Sequence, residues 1–292
     1  MQDHIAKAMV ASGAVSVYAA VTTNTVEEAR IIHQMDPTPC AALGRTLTGA
    51  ALISQTLKGA DNTVTIQIKG DGPIGGILAV SNARAGVRGY VHNPFFDVPL
   101  NGKGKFDISK AVGKGYLNMI KDIGLKEPYI GCVDLVSGEI AEDLAYYYAY
   151  SEQTPTAVNL GVLVGAAGHV QAAGGFFIQL LPNAGEGEAA YLEERIKGLP
   201  PITNMIYEGL TPEAIIHTLF EGRDIRMLET CGVHYQCNCS RERMERNLLS
   251  TGKPDLLEIA NDRKGAELQC HFCNRKYSFS EEEFDELIKD YL

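Results

Sequence analysis

The sequence contains no tryptophan, and its positive charge is scarce: 26 Lys and Arg stand against 36 Asp and Glu, a formal charge of −10. The missing tryptophan carries no functional message. The charge deficit does, because nucleic acids and anionic membranes are bound through a basic footprint, so neither is expected as a partner. A continuous apolar run is also absent. The most apolar stretch, Ala157 to Leu181, is broken by Asn159, His169, Gln171 and Gln179 and by several glycines, whereas a bilayer-spanning helix needs about 20 apolar residues in a row. That stretch reads as two buried strands joined by a glycine turn. The first residues, MQDHIAKAMVASGAVSV, place Asp3 and His4 early and have no long apolar core, so no signal peptide is expected.

What is present begins with cysteine. Seven cysteines, an odd number without a secretory signal, do not describe a disulfide framework, and a reducing cytoplasm is the natural setting. Five of the seven lie between Cys231 and Cys273. Cys40, among Ala and Leu, and Cys132, in an apolar run, are expected to be buried and inert.

Three regions are expected in the 292 residues. Residues 1–182 read as an α+β core domain. Thr63 to Lys69 alternates with period two, Gly70-Asp71-Gly72-Pro73 forms a turn, and Ile77 to Val80 follows as a second strand. Further strands are expected at Val87–Val91, Tyr129–Val136, Leu160–Val164 and Phe176–Leu181, and helices at Cys40–Leu57 and Gly138–Ser151. Residues 183–230 read as an amphipathic helical linker with helices over 188–197, 202–208 and 211–221. The last is opened by Thr211 as N-cap and Pro212 at the first helical position. These helices are too short to be stable alone and need a surface to lie on. Residues 231–292 form a small unit whose final helix has a capping box, Ser280 with Glu283, and a Phe279–Phe284 staple. Phe284, Leu287, Ile288 and Tyr291 follow at helical spacing.

Cys237-Asn238-Cys239 and Cys270-His271-Phe272-Cys273 are two short-range thiol pairs separated by 30 residues. Brought together across a loop, the four thiols make a tetrahedral Cys₄ site for one zinc ion. A structural staple is the simplest role for it. Two details favour a redox switch instead: one half is CxC rather than CxxC, and cations follow each pair (Arg241 and Arg243; Arg275 and Lys276), which hold cysteines as thiolates. Zinc contributes about 10–16 kcal/mol to the folding of such modules. Disulfides within each pair would return only about 1.5–2 kcal/mol apiece and release the two halves from one another, whereas bonds across the pairs could preserve the fold. Cys231 is a bystander or an alternative thiol, and His234 and His271 could stand in for a ligand.

Other patterns carry less. Gly70, Gly72 and Gly75 match G-x-G-x-x-G, but Pro73 and a following strand leave no helix for a nucleotide phosphate. Glu139, Glu142 and Asp143 read as the solvated acidic start of a helix. No enzymatic constellation is apparent, and a closed Cys₄ site leaves no open position for catalysis.

With these residues in view, the chain resembles the heat shock protein 33 family over essentially its full length. The CxC…CxxC pair is the most specific carrier. Ala42-Leu43-Gly44-Arg45, Gly70-Asp71-Gly72-Pro73-Ile74-Gly75, Glu139 to Tyr148, Ser151-Glu152-Gln153-Thr154-Pro155-Thr156 and Gly174-Gly175-Phe176 also resemble the family pattern. The resemblance implies a holdase without ATPase activity, inactive while reduced and zinc-bound. Oxidation would form Cys237–Cys239 and Cys270–Cys273 disulfides, release zinc, loosen the linker, expose a surface for unfolding client proteins and favour a homodimer. The apolar stripe with Ile206, Ile215, Ile216, Leu219 and Phe220 is the expected part of that client surface. Two alternatives compete: a nucleic-acid-binding zinc module, opposed by nine Lys and Arg against twelve Asp and Glu from Ser240 to Leu292, and a CxxC thiol oxidoreductase, opposed by the lack of a helix starting at Cys270.

Overall fold

A computed structural model describes residues 2–102, 104–261 and 265–289 of the chain. It divides into two units, Met1–Gln236 and Cys237–Leu292. The class is the expected one, an α+β body followed by a small unit carrying the four cysteines. Tyr291 lies outside the described residues.

The first unit opens with strands β1 (His4–Val10) and β2 (Val15–Val21), then helices α1 (Thr23–His33) and α2 (Pro37–Ser54). Strands β3 (Thr63–Gly70), β4 (Ile77–Asn82) and β5 (Gly86–Val91) follow, then α3 (Ile108–Val112), β6 (Gly115–Asp122) and β7 (Tyr129–Asp134). Helix α4 (Ala141–Tyr150) and the hairpin β8 (Thr156–Val164) and β9 (Val170–Leu180) come next. Helices α5 (Glu186–Gly198), α6 (Ile202–Tyr207) and α7 (Pro212–Leu219) precede β10 (Ile225–Gly232) and β11 (His234–Tyr235). One sheet has the order β10-β1-β2-β9-β8, the other β11-β5-β4-β3-β6-β7. Helix α2 packs against strands of both sheets. Its sequence, ALGRTLTGAALIS after the prolines, is apolar almost all round, as a helix buried on every side must be. Gly44 is required there, because a Cβ would come within 2.6 Å of Val26 and 2.8 Å of Val162.

Two glycines of the G-x-G-x-x-G match, Gly70 and Gly72, serve packing, while Gly75 takes a positive φ of 71°. Added Cβ atoms at Gly70 and Gly72 would collide with the carbonyl oxygens of Val112 and Ala111 at the end of α3. The acidic helix start needs correction. Asp143 is fully buried rather than solvated, and its carboxylate accepts from the backbone N–H groups of Val136 (2.8 Å), Ser137 (3.0 Å), Gly138 (3.3 Å) and Ile140 (2.9 Å). This holds Ile140 at φ 71°, a left-handed conformation that is costly for a β-branched residue. Cys132 is also corrected: β7 is the edge of its sheet, and Cys132 is exposed, while Cys40 is buried as expected. Among the described residues, no helix is long and apolar enough to cross a membrane.

Helices α5 to α7 lie on the five-stranded sheet. Leu192, Ile202, Met205, Ile206, Ile215, Ile216, Leu219 and Phe220 share a buried cluster with Val15, Val17, Phe176 and Ile178. The Thr211 hydroxyl caps α7 by accepting from Ala214 N at 3.3 Å. Residues 183–230 thus belong to the unit Met1–Gln236.

The second unit contains α8 (Arg241–Leu249), α9 (Lys253–Asn261), a hairpin β12 (Ala266–Gln269) and β13 (Lys276–Phe279), and α10 (Glu281–Lys289). The α10 capping box forms reciprocally: Glu283 N donates to Ser280 Oγ (3.2 Å) and Ser280 N to Glu283 Oε2 (2.9 Å). Phe279 and Phe284 are both buried in this unit's core.

Candidate metal centre

Two short backbone segments bring the thiols together. Cys237 and Cys239 lie in the short irregular segment before α8, whose N-cap Ser240 accepts from Arg243 N at 3.3 Å. Cys270 and Cys273 occupy the turn between β12 and β13. There Cys270 N donates to Arg275 O (2.9 Å), Asn274 N donates to Cys270 O (2.8 Å), and Asn274 takes a positive φ of 57°. This turn opens no helix, which disfavours the oxidoreductase reading.

The four sulfur atoms all lie within 4.8 Å of one another, with Cys237–Cys270 at 3.6 Å and Cys239–Cys273 at 3.4 Å. A tetrahedral thiolate site with metal–sulfur bonds of about 2.3 Å has its sulfurs about 3.8 Å apart, so the donor set fits a metal of that geometry. Among the described residues these four form the only such cluster of Cys, His and acidic groups. Neither His234 nor His271 belongs to it. Cys231 lies on β10 in the first unit, where its thiol donates to Arg84 O at 3.5 Å.

The thiols are not equivalent. Burial pushes Cys237 and Cys273 up. Burial acts the same way on Cys239, but hydrogen bonds from Tyr277 and from the other three thiols outweigh it and bring Cys239 down to about 7. Tyr277 donates its hydroxyl to Cys239 Sγ at 3.1 Å. Nothing in the sequence singled it out, since an aromatic in a short hairpin is ordinary core material.

The cations expected to hold thiolates divide in their roles. Arg241 stacks over Phe279 at 4.3 Å and pairs with Glu283 (2.9 Å) and Glu245 (3.5 Å). Arg243 donates to Asn238 Oδ1 (2.9 Å), and Lys276 pairs with Glu267 (2.8 Å). Arg275 is the one raised by its surroundings, through a hydrogen bond with Tyr277 and then the charges of Tyr277, Cys239 and Cys273.

Fold and site together define an α+β body followed in the chain by a small unit whose four thiols are clustered within metal-binding distance. The chain belongs to the Hsp33 family: residues 3–280 match the family model described as "Hsp33 protein". A protein named 33 kDa chaperonin from Ruminiclostridium cellulolyticum is 54% identical over 290 residues, covering 99% of each chain. One of the same name from Acetivibrio thermocellus is 50% identical, covering 99% of this chain and 98% of its own. The crystal structure of a 33 kDa chaperonin (heat shock protein 33 homolog) from Thermotoga maritima matches with a TM-score of 0.92 at 38% identity, over 100% of this chain and 99% of that one.

Proposed function

We propose that this protein is a redox-regulated, ATP-independent holdase chaperone and not an enzyme. In this reading Cys237, Cys239, Cys270 and Cys273 hold one zinc ion while reduced, and the protein is then inactive. An oxidant of the peroxide class converts the thiols to Cys237–Cys239 and Cys270–Cys273 disulfides, one peroxide taking two electrons and two protons per disulfide and leaving as water, and the thiolates that would hold zinc are lost. The second unit unfolds, the chain before it loosens, and client-binding surface becomes available. A homodimer follows oxidation, and the working compartment is the reducing cytoplasm, where four free thiols persist.

The observation that carries this reading is the place of the thiols in their unit. Cys270 is buried in its core, and Cys237, Cys239 and Cys273 pack against that core, which otherwise rests on Met244, Leu248, Leu256, Phe279, Phe284 and Ile288. A unit this small depends on its metal. Disulfides inside each pair would leave the CxC and CxxC segments unconnected. The test uses one sample before and after peroxide at mildly raised temperature. About one zinc per chain should leave as light scattering by a denatured client falls. Zinc retained, or zinc lost without any gain in activity, would sink the reading.

The client surface is proposed to include Ile206, Ile215, Ile216, Leu219 and Phe220. All five are buried against the five-stranded sheet in the reduced structure, which agrees with concealment of the surface before oxidation. Replacing Leu219 and Phe220 with Ser should lower the aggregation suppression of the oxidised protein several-fold in the same assay. Undiminished suppression would remove these residues from the surface.

A further inference from the structure

Two sulfurs of the cluster accept hydrogen bonds from the main chain close by: Cys237 from the N–H of Cys239, and Cys273 from the N–H of Arg275. Such donors come with the local turn. Cys239 accepts from a side chain instead, the Tyr277 hydroxyl at 3.1 Å, which lies 38 residues further along the chain. The β12–β13 hairpin places that hydroxyl. Tyr277 stands opposite Leu268 in its register, and both side chains pack against the core of the second unit.

Behind the phenol stands Arg275, hydrogen-bonded to it. A guanidinium has donors only, so it donates to the phenol oxygen and leaves the phenol proton for Cys239. Hydrogen bonds in series polarise one another. The run from Arg275 through Tyr277 therefore directs partial positive charge at one sulfur of the four.

A thiolate that holds a metal keeps lone pairs able to accept, and a donor placed on it relieves the excess negative charge of a four-thiolate set. The same donor makes that sulfur a poorer nucleophile. Oxidation by a peroxide begins when a sulfur lone pair attacks one peroxide oxygen. The O–O bond breaks, hydroxide leaves and is protonated to water, and a sulfenic acid remains. The second thiolate of the pair then displaces the sulfenic hydroxyl, which also leaves as water, and the disulfide forms. The lone pair engaged by Tyr277 is withheld from the first of these events.

We infer that Tyr277, backed by Arg275, is a positioning residue that retains the metal at Cys239 and slows the attack of that sulfur on an oxidant, and so sets the threshold of the switch. The oxidation half of this inference rests on the redox reading above; the retention of metal does not.

The test compares the reduced full chain with Tyr277→Phe, which keeps the ring against the core and removes only the hydroxyl. Competition with a chromophoric chelator should show zinc held about tenfold or more weakly. With cobalt(II) as the probe, the sulfur-to-metal charge-transfer bands should move to lower energy while the ligand-field bands of a tetrahedral four-thiolate site stay unchanged. Lost packing alone would alter the ligand-field bands. Under peroxide, zinc should leave several-fold faster. The side chain of Arg275 is exposed, so Arg275→Met leaves the hairpin intact and should move every readout the same way by a smaller factor. That variant decides the matter if Tyr277→Phe takes up no metal. Equal affinity and equal charge-transfer energy across the variants would overturn the assignment. Slower zinc release in Tyr277→Phe would overturn the brake, because the hydroxyl would then be protonating the departing hydroxide. Faster release with no aggregation suppression by variant or parent would support Tyr277 and overturn the chaperone reading; suppression with unchanged release rates would overturn the brake alone.

Discussion

Stripping the metal from the reduced protein is expected to unfold residues 237–292 while the two large sheets of the body keep their structure. The second unit has one small core, and cores of this size rarely supply more than about 3–5 kcal/mol. Its helices, nine residues each in α8, α9 and α10, are too short to persist alone even with the Ser280–Glu283 box. A bound tetrathiolate metal contributes about 10–16 kcal/mol, several times what the core provides, so the metal term decides. Hydrogen exchange after chelation measures the outcome. Amides such as Met244 and Phe284, which donate to Ser240 and Ser280 carbonyls, should lose protection. Those of β3 and β6, paired in the middle of the six-stranded sheet, should not change. Protection retained at Phe284 after the metal is gone would show that the unit folds by its core, and the proposed switch would lose its mechanism.

The second large effect is expected at Asp143. Replacing it with Ala removes a buried carboxylate that satisfies four backbone donors, two of them, Gly138 and Ile140, fully buried. Each buried donor left without a partner costs about 1–3 kcal/mol, and hydrogen bonds to a charged acceptor are the stronger kind. Ile140 would also lose the contact that holds its left-handed backbone. A loss of about 3–5 kcal/mol is expected, read as a lower urea midpoint of the first unit with the metal still bound. Asp143→Asn keeps one acceptor oxygen and the side-chain shape, and should recover part of that loss. Equal midpoints for Ala and the parent would mean the turn finds other acceptors.

Asp143 also marks where sequence reading stops. An acidic residue in a first helical turn has an ordinary solvated meaning. Only the packing of the preceding turn over α4 makes it a buried acceptor. Cys132 misled for a related reason. Its apolar neighbours describe a buried strand, but β7 falls at the sheet edge, and edge position is a property of the sheet order. Strands β1 and β2 were not anticipated. In β2, VSVYAAV, six of seven residues are buried, so the period-two signal is erased. Strand β1 pairs with β10, placing His4 opposite Gly232, and no local pattern announces so distant a partner. Tyr277 belongs with these, since its hydroxyl matters only once the hairpin places it on Cys239.

By itself the sequence determined whatever depends on near neighbours along the chain. The caps of α7 and α10 follow from Thr211-Pro212 and Ser280 to Glu283, the hairpin β8–β9 from two apolar runs around a glycine turn, and the metal donors from the CxC and CxxC spacing. The caps, the glycine turn and each thiol pair by itself involve residues close in sequence, so their geometry is set by local backbone conformation. The tertiary structure alone decided which strands became edges, which acid became buried, which face of α5 to α7 was hidden, and how Tyr277 and three thiols bring Cys239 below its ordinary range. Those outcomes depend on how elements pack against one another, whether their residues are near in sequence, as for Asp143, or far, as for β1 and β10, and burial acquires a value only once the chain has folded.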